Sequence, residues 1–410
     1  MSQLDEYHTL SASSRIERPA FSPSAIVLKR LLKQVQHGRL VLSLPGGEVI
    51  AVNGPSPGPE AKIAIVRWNS LRRLLTSGDI GFAQAYIEGE WTSPDLTSVI
   101  RFAARNRDTL LSTLRGSGWM RALNRVGHLL NANTRRGSRR NIEAHYDLGN
   151  DFYAQWLDAS MLYSSAIFNE TTHSLENAQE RKLQCIAEKL ALEGGEKILE
   201  IGCGWGALAG YLAEYGDAHV TGITLSPSQL AWAQTAVKEV GKSDAIDLRL
   251  QDYRDVQGQF DRIVSIEMFE AVGEAYWSEY FATLKRCLKP GGRAVLQVIS
   301  IEETRYENYR RKADFIQKFI FPGGFLPSDK VLERDLVKAG LVLTDTEHFG
   351  HSYALTLAEW RQRFVANWPE IEKLGFDDKF RRLWEYYLCY CEGGFEEGAI
   401  NVGLYTIEHA

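Results

Sequence analysis

The sequence predicts an α/β protein whose main domain is a Rossmann-like, doubly wound parallel sheet, preceded by a small α+β domain. From Glu196 onward, short apolar segments alternate with segments of helical length, which is the pattern of βαβ units. One of these apolar segments runs directly into glycines at alternate positions, 202, 204 and 206. The length of 410 residues also exceeds that of an average single domain, so we expect two domains.

The first hundred residues predict the small α+β domain, which we place at residues 1–100. Residues 1–20 are polar and unpatterned, and we expect a mobile tail there. Apolar residues at helical spacing predict an amphipathic helix, and the turn Pro45-Gly46-Gly47 predicts a hairpin. The elements expected are a helix over 22–36, strands over 39–44, 48–52 and 61–67, and helical segments between 71 and 87.

An arginine-rich segment over residues 101–140 joins this domain to the rest of the chain. It holds ten arginines and a single acid, Asp108, whereas the whole chain has a net charge of -5. Tryptophan and leucines among the arginines favour an interfacial helix on anionic phospholipid, with each cation near the surface contributing about 1 kcal/mol. A solvated linker helix with one apolar side is an equally good interpretation. No nucleic-acid-binding module accompanies the charge, so we expect no nucleic acid partner.

We expect residues 141–410 to form the main domain, in which strands alternate with segments of helical length. Parallel strands of this kind are covered by helices on both faces, and ligands bind at their carboxyl ends. The strands expected are 198–201, 219–223, 247–250, 262–266 and 293–299, with helices over 208–214, 228–240 and 276–288.

Composition narrows the class of protein and its compartment. An apolar content of 44% and a charged content of 24% are ordinary for a soluble protein. The sequence has no apolar run long enough to cross a bilayer and no N-terminal signal segment, so we expect a cytoplasmic protein. The five cysteines lack metal-ligand spacing and predict reduced thiols, and His348 and His351 have no further ligand at metal spacing. We therefore assign no metal.

The glycine loop that follows the first strand of the main domain indicates the cofactor. Its spacing is G-x-G-x-G, and Trp205 stands where a pyrophosphate would need open backbone amides. About twenty residues later, Thr224 and Gln229 replace the acidic residue that holds a ribose in NAD-binding folds. These features disfavour NAD and suit S-adenosylmethionine, which has no phosphate and needs close backbone approach.

Further candidate residues follow the fourth strand and lie in aromatic-rich segments. Glu270 is expected at the mouth of the sheet, as a reacting group or as a helix-start carboxylate. Tyr353 is either a site residue or a buried core tyrosine. Aromatic residues between 384 and 395 are either helix core or the wall of a tunnel.

Taken together, these motifs resemble the cyclopropane fatty acid synthase family of S-adenosylmethionine-dependent methyltransferases, which includes the mycolic acid cyclopropane synthases. The resemblance covers about 250 residues in the right order. The matching residues are His145-Tyr146-Asp147, Tyr163-Ser164, Gly202-Cys203-Gly204-Trp205-Gly206, Thr224-Leu225-Ser226 with Gln229, Gln251-Asp252-Tyr253, Met268-Phe269-Glu270, Ile320-Phe321-Pro322-Gly323-Gly324 and Tyr353.

The resemblance implies a class I methyltransferase fold and a set of site residues. Glu270 and Tyr353 would line the reacting centre, where the family holds a bicarbonate ion that acts as the base. The ion's ligands in the family are a cysteine, a glutamate, a histidine, a backbone amide after the fifth strand and a tyrosine. The residues expected at the cofactor are Tyr163, Ser164, Gly202, Gly204, Thr224, Leu225, Gln229, Asp252 and Ile266.

The chain departs from the family pattern at the expected bicarbonate site. Ser165 replaces the usual cysteine, Gln297 replaces the usual histidine, and Ala271 replaces the histidine after the glutamate. Ile299 would be the amide donor, and Cys391 matches a cysteine of the pocket. Glutamine cannot carry a proton away or hold an anion as strongly as a cation does. These departures weaken the case for an ordinary bicarbonate site and leave the product open between a cyclopropane and a methyl-branched or methylene chain.

The resemblance implies methyl transfer to a cis double bond of an unsaturated phospholipid acyl chain, giving a cyclopropane or a methyl-branched or methylene product. It also implies a peripheral enzyme at the inner membrane surface, and a homodimer is compatible with it. Two other classes stay open at this point. One is a methyltransferase that acts on a soluble small molecule, and the other is a lipid-binding scaffold without activity.

Overall fold

The computed structural model of the chain describes residue 28 and residues 32–114, 148–239, 241 and 244–410. The polar N-terminal tail, the motif His145-Tyr146-Asp147 and most of the arginine-rich segment lie outside these residues. The same is true of most of the helix expected over 22–36, although Leu28 and Leu32 are helical and buried.

Between residues 37 and 114, the N-terminal part of the chain forms a four-stranded sheet and three helices. The hairpin predicted around Pro45-Gly46-Gly47 is confirmed, because the two strands that flank it pair antiparallel. The third strand begins earlier than expected and pairs parallel with the first. The elements are β1 (His37–Ser43), β2 (Val49–Asn53), β3 (Ser56–Ile65), α1 (Asn69–Ile87), β4 (Trp91–Thr92), α2 (Leu96–Arg105) and α3 (Arg107–Leu114).

The main domain is built on a seven-stranded sheet in the order β10-β11-β9-β8-β5-β6-β7. Its strands are β5 (Lys197–Ile201), β6 (His219–Thr224), β7 (Ile246–Leu250), β8 (Phe260–Ile266), β9 (Leu288–Ile301), β10 (Leu341–His348) and β11 (Ile400–His409). Its helices are α4 (Asn150–Ala154), α5 (Leu175–Leu190), α6 (Ala207–Tyr215), α7 (Pro227–Glu239), α8 (Trp277–Cys287), α9 (Glu303–Tyr309), α10 (Phe315–Phe319), α11 (Asp329–Ala339), α12 (Gly350–Ala366), α13 (Trp368–Lys373) and α14 (Asp378–Glu396).

The parallel sheet predicted from the sequence is confirmed for strands β5 to β9. The strand order reverses at β5, which pairs with β6 on one side and β8 on the other, so the loops after these strands meet at one edge. Two strands that were not predicted from the sequence, β10 and β11, add an antiparallel pair beside β9. β10 lies at the sheet edge and is polar after its first three residues, so only a short apolar run marks it.

The C-terminal helices connect the two parts of the chain. α14 begins at an N-cap, where Asp377 accepts a hydrogen bond from the backbone amide of Phe380, and buries an aromatic stripe. α2 packs against α14 and runs through residue 100, the boundary we expected between the domains. Because this helix crosses the expected boundary, the division of the chain into domains at 1–100, 101–140 and 141–410 stays a prediction. Among the described helices, none combines the length and apolarity that crossing a bilayer would require.

The buried carboxylate of Glu392 connects α14 to α2, and loss of its cationic partner should destabilise the fold. Glu392 accepts hydrogen bonds from the Thr97 hydroxyl at 3.0 Å and from Arg361 Nε at 3.0 Å. Replacing Arg361 by Met leaves that carboxylate without its cation, so we expect the free energy of unfolding to fall by about 2 kcal/mol. Arg311→Met, which removes an exposed ion pair with Glu307, should change it by less than about 0.5 kcal/mol. Urea unfolding of both variants tests this, and equal effects would contradict it.

Candidate active site

The carboxyl ends of the parallel strands open into one cavity with a volume of about 650 Å³. The loops after β5, β6, β7 and β8 all contribute to its wall, as the doubly wound topology requires. The volume lies in the range of small-molecule sites. The edge of the sheet at which the sequence predicted a ligand is therefore the edge that holds the cavity.

The glycine loop presents bare backbone to this cavity. Gly202 and Gly204 have φ of 90° and 51°, in the left-handed region that favours glycine. A Cβ atom added at Gly204 would meet no protein atom within 4 Å, because that side of the residue faces open space. Trp205 turns away into the core, where its Nε1 donates to Asn150 Oδ1 at 2.9 Å. The loop therefore provides a floor for a flat ligand rather than a ring of free amides.

The structure brings most of the predicted cofactor residues together on the wall of this cavity. Gln229 is buried, and its Oε1 accepts a hydrogen bond from the Thr224 hydroxyl at 3.0 Å. Ser164 and Asp252 lie beside wall residues without lining the cavity, and Asp252 is paired with Arg254. The predicted cofactor residues that line the cavity are Tyr163, Gly202, Gly204, Thr224, Leu225, Gln229 and Ile266. These seven residues are uncharged, and together with the glycine floor they fit S-adenosylmethionine, which carries no phosphate.

The carboxylate of Glu267 lies at the centre of the cavity wall. It was not among the residues predicted from the sequence. Its Oε1 accepts hydrogen bonds from the Ser165 amide at 2.8 Å and from Gln297 Nε2 at 2.7 Å. Its Oε2 accepts one from the Tyr353 hydroxyl at 2.6 Å. Tyr353 and Glu267 both line the cavity, whereas Ser165 and Gln297 are fully buried behind Glu267. Three predicted catalytic residues, Ser165, Gln297 and Tyr353, thus donate hydrogen bonds to Glu267.

Glu267 occupies a backbone position that would suit glycine. Its φ is 49°, and a left-handed conformation costs a residue with a Cβ atom roughly 1–2 kcal/mol. This conformation aims the side chain at Ser165, Gln297 and Tyr353 instead of along the strand. The signal in the sequence was a carboxylate directly after an apolar strand, three residues before Glu270. Its direction depends on the backbone angle, which the sequence does not reveal.

Glu270 lies on the same wall and has far fewer donors. Its Oε1 accepts a hydrogen bond from the Ile299 amide at 2.5 Å, and its buried Oε2 has no hydrogen-bond partner among the described residues. Burial, followed by the negative charge of Glu267, raises the pKa of Glu270 to about 8. Glu270 is therefore mainly a neutral acid at neutral pH.

Donors and a nearby cation set Glu267 apart from Glu270. Burial raises the pKa of Glu267, but Tyr353, the Ser165 amide, Gln297 and the charge of Lys182 oppose that rise. Lys182 is fully buried on α5, and its Nζ donates to the Ser164 hydroxyl at 2.8 Å. Burial lowers the pKa of Lys182 to about 8, against the opposing charges of Glu267 and Asp158. Of the two carboxylates, Glu267 is thus the better-stabilised anion and Glu270 is the neutral acid.

The remainder of the cavity wall is apolar and comes from both parts of the chain. Aliphatic residues of the N-terminal sheet and helices continue the wall away from the cofactor loop. The aromatic stripe of α14 contributes as well, so these aromatics are helix core and cavity wall at once. Cys391 also lines the cavity, and burial raises the pKa of its thiol. The apolar residues include Leu42, Ile63, Ile65, Phe82, Val99, Phe102, Tyr386, Tyr387, Tyr390 and Phe395.

The raised pKa of Glu270 predicts a pH-dependent stability. Between about pH 4.5 and about pH 8 the native state keeps a proton that the unfolded chain releases, so stability falls as the pH rises through this range and levels above it. Glu270→Gln removes this dependence. We expect its stability relative to the parent protein to grow from about pH 5 to about pH 8, by at most about 1.4 kcal/mol per pH unit. Urea unfolding at both pH values measures it, with Glu307→Gln on the protein surface as the control; a constant difference would contradict it.

Comparison with known proteins agrees with this geometry. The family model described as mycolic acid cyclopropane synthetase matches residues 133–404, which is more than half of the chain. The chain belongs to this family. The resemblance inferred from the motifs is thereby confirmed, as is the expectation of an S-adenosylmethionine-dependent methyltransferase.

Relatives of the mycolic acid cyclopropane synthetase family align over most of this chain. The tuberculostearic acid methyltransferase UfaA1 of Mycobacterium tuberculosis is 37% identical over 399 residues, which is 95% of this chain and 92% of that protein. The cyclopropane-fatty-acyl-phospholipid synthase of Escherichia coli is 37% identical over 359 residues, or 86% and 88% of the two chains. Both parts of the chain, and not the sheet domain alone, are therefore shared with enzymes of this family.

A solved structure of the family shares the fold of the main domain. The mycolic acid cyclopropane synthase CmaA1, complexed with SAH and CTAB, superposes with a TM-score of 0.62 at 30% sequence identity. The match covers 66% of this chain and 97% of that one. The Rossmann-like class I methyltransferase fold and the S-adenosylmethionine cofactor predicted from the sequence are confirmed.

Proposed function

We propose that this enzyme transfers the methyl group of S-adenosylmethionine to a cis double bond of an unsaturated phospholipid acyl chain. The observation that carries the proposal is the single cavity, which runs from the glycine floor at Gly202 and Gly204 past Glu267 and into an apolar wall. A cofactor on the floor and a hydrocarbon chain along the wall would meet beside the carboxylates. The lipid-modifying activities named for the two relatives support this class of substrate.

The residues at this meeting point suit the chemistry of such a transfer. When bound, S-adenosylmethionine supplies an electrophilic methyl group. The apolar wall excludes water and holds the double bond near that group, which replaces a random encounter by a fixed approach. Tyr353 and Tyr387 present aromatic rings to the cavity, and such faces stabilise positive charge on a chain carbon. Glu267, which has three donors and Lys182 nearby, is the anion available to accept a proton.

The remaining parts of the proposal concern where the enzyme meets its substrate. We propose that it binds an anionic membrane surface from the cytoplasmic side through the arginine-rich segment 101–140. The cations of α2 do not all contribute, because Arg101 and Arg105 pair with Glu397. Sedimentation with anionic vesicles should occur and should weaken as salt rises. Binding that does not respond to salt or to anionic lipid would contradict this part alone.

Purified enzyme, S-adenosylmethionine and phospholipid vesicles provide the test of the substrate class. Transfer of CH3 with loss of a proton adds the mass of one methylene group to an acyl chain, whether the product is a ring or an olefin. We expect this gain in vesicles of cis-monounsaturated phospholipid and no gain in vesicles of saturated phospholipid. Consumption of S-adenosylmethionine without any acyl product, or with a soluble acceptor in the absence of vesicles, would instead favour a small-molecule methyltransferase.

A further inference from the structure

We propose that the Glu267 carboxylate is the built-in general base of this site and that the enzyme needs no bicarbonate ion. The inference rests on the proposed function, because it assigns the group that removes the proton after methyl transfer. It also explains why this chain departs from the family pattern at Ser165 and Gln297.

The hydrogen-bond donors at the positions expected to hold a bicarbonate ion already serve carboxylates of the protein. The Ser165 amide, Gln297 Nε2 and the Tyr353 hydroxyl donate to Glu267 at 2.8, 2.7 and 2.6 Å. The Ile299 amide donates to Glu270. A free anion would have to displace one of these carboxylates and would also meet the negative charge of Glu267. The residues present therefore do not fit a bicarbonate ion.

The backbone gives a second and independent argument. Glu267 is fixed at φ 49°, where glycine would be unstrained, and its carboxylate is half-buried in the cavity wall. Strained backbone and a charge partly removed from water both oppose folding, and such features persist where the surrounding structure holds them for a function. The strain here has a specific result, because it turns the carboxylate into the ring of donors beside the cofactor floor.

Gln297 and Ser165 are better suited to hold the carboxylate of Glu267 than to hold a free bicarbonate ion. A covalently attached anion does not need a cationic ligand to retain it, and the neutral amide of Gln297 both donates to Glu267 and donates to the Ser165 carbonyl at 3.2 Å. Ser165 contributes its backbone amide to Glu267, while its hydroxyl donates to the Ala166 carbonyl. Neither side chain has to exchange a proton. Ser165 and Gln297, which in the sequence replace two bicarbonate ligands of the family, thus both donate hydrogen bonds to Glu267.

The proposed step is balanced without any further reactant. The π electrons of the double bond form a bond to the methyl carbon, the bond from that carbon to sulfur breaks, and its electron pair stays on sulfur. One alkene carbon is left positive. Glu267 then takes one proton, either from the new methyl group or from a neighbouring chain carbon, and the C–H electron pair closes a ring or forms a double bond. The resulting carboxylic acid loses the proton to solvent when the product leaves.

Two substitutions at Glu267 test the inference. Glu267→Gln keeps the shape and removes the base, so we expect kcat to fall at least about 100-fold, the scale of general base catalysis. Glu267→Gly suits the left-handed backbone, should fold at least as well as the parent, and leaves a space lined by three donors. We expect it to lose activity similarly and to regain at least about 10-fold when sodium bicarbonate or formate is added. The parent enzyme should lose less than about two-fold in bicarbonate-free buffer.

Thermal midpoint and S-adenosylmethionine affinity, measured for each variant, separate loss of the base from loss of the fold. Glu307→Gln, on the surface of α9, is the matched control and should behave as the parent. A parent enzyme that stops without bicarbonate, a Glu267→Gln variant of normal rate, or a folded Glu267→Gly variant that no anion rescues would each overturn the inference. If the parent enzyme methylates no acyl chain at all, the proposed function fails instead, and these variants do not decide that question.

Discussion

Replacing Gly204 by Leu is expected to raise the Kd for S-adenosylmethionine at least about 100-fold, or about 3 kcal/mol, and to abolish turnover. Gly204 lines the cavity, and a Cβ atom there would project into open space that no protein atom occupies within 4 Å. A leucine side chain would therefore stand where the cofactor must lie against the backbone. Calorimetric titration with S-adenosylmethionine measures the loss directly.

Gly210→Leu is the matched control for this prediction. Gly210 lies in α6, only six residues along the chain, and a Cβ atom there also meets nothing within 4 Å. It does not line the cavity, so the same side chain should leave the Kd within about two-fold of the parent value. Cofactor binding that survives Gly204→Leu in a folded protein would mean that the glycine loop is not the cofactor floor.

Filling the apolar wall at Val99 is expected to abolish turnover of long acyl chains while the cofactor still binds. Val99 lies in α2, is only 2% exposed and lines the cavity far along the chain from the cofactor loop. In Val99→Trp the larger ring should occupy space that the hydrocarbon needs, at a stability cost of about 1–3 kcal/mol. We expect kcat/KM for long monounsaturated chains to fall at least about 100-fold, with a smaller loss for chains shortened on one side of the double bond.

The control for the blocked cavity is Val337→Trp. Val337 lies on α11 with 63% of its surface exposed and is not part of the cavity wall, so the same ring should change neither kcat/KM nor chain-length preference. An equal loss for every chain length in Val99→Trp would indicate general damage to the fold. Unchanged turnover of long chains would show that the N-terminal part of the chain does not hold the acyl group.

The sequence predicted the parallel part of the sheet because buried parallel strands are rich in apolar residues, as in Ile198–Ile201 of β5, where only Glu200 is polar. It also placed the cofactor loop, since glycines at 202 and 204 follow such a run directly. The edge strand β10 was missed because only its first three residues are apolar and the other five are polar, so that it resembles an exposed segment. Its position is decided by pairing with β11, a partner more than fifty residues away.

The candidate site was predicted in outline but not at its centre. Glu270, Tyr353 and Cys391 line the cavity as expected, and their roles in the reaction stay a prediction. Glu267 was not predicted as a site residue because its importance depends on a left-handed backbone that no pattern of residue types reveals. Lys182 was not predicted either, since one lysine in an amphipathic helix normally faces solvent, whereas this one is fully buried beside Ser164. The surroundings of both residues are determined by tertiary packing.

The central claim is that the cavity brings a methyl donor against the double bond of an acyl chain, and a labelled methyl group tests it most directly. The enzyme is incubated with S-adenosylmethionine carrying a fully deuterated methyl group and with cis-monounsaturated phospholipid, and the product is fragmented in a mass spectrometer. We predict label on the acyl carbons of the former double bond, with two deuterons retained for a ring or a methylene group and three for an intact added methyl. Label in the head group, or equal labelling of saturated chains, would contradict the account.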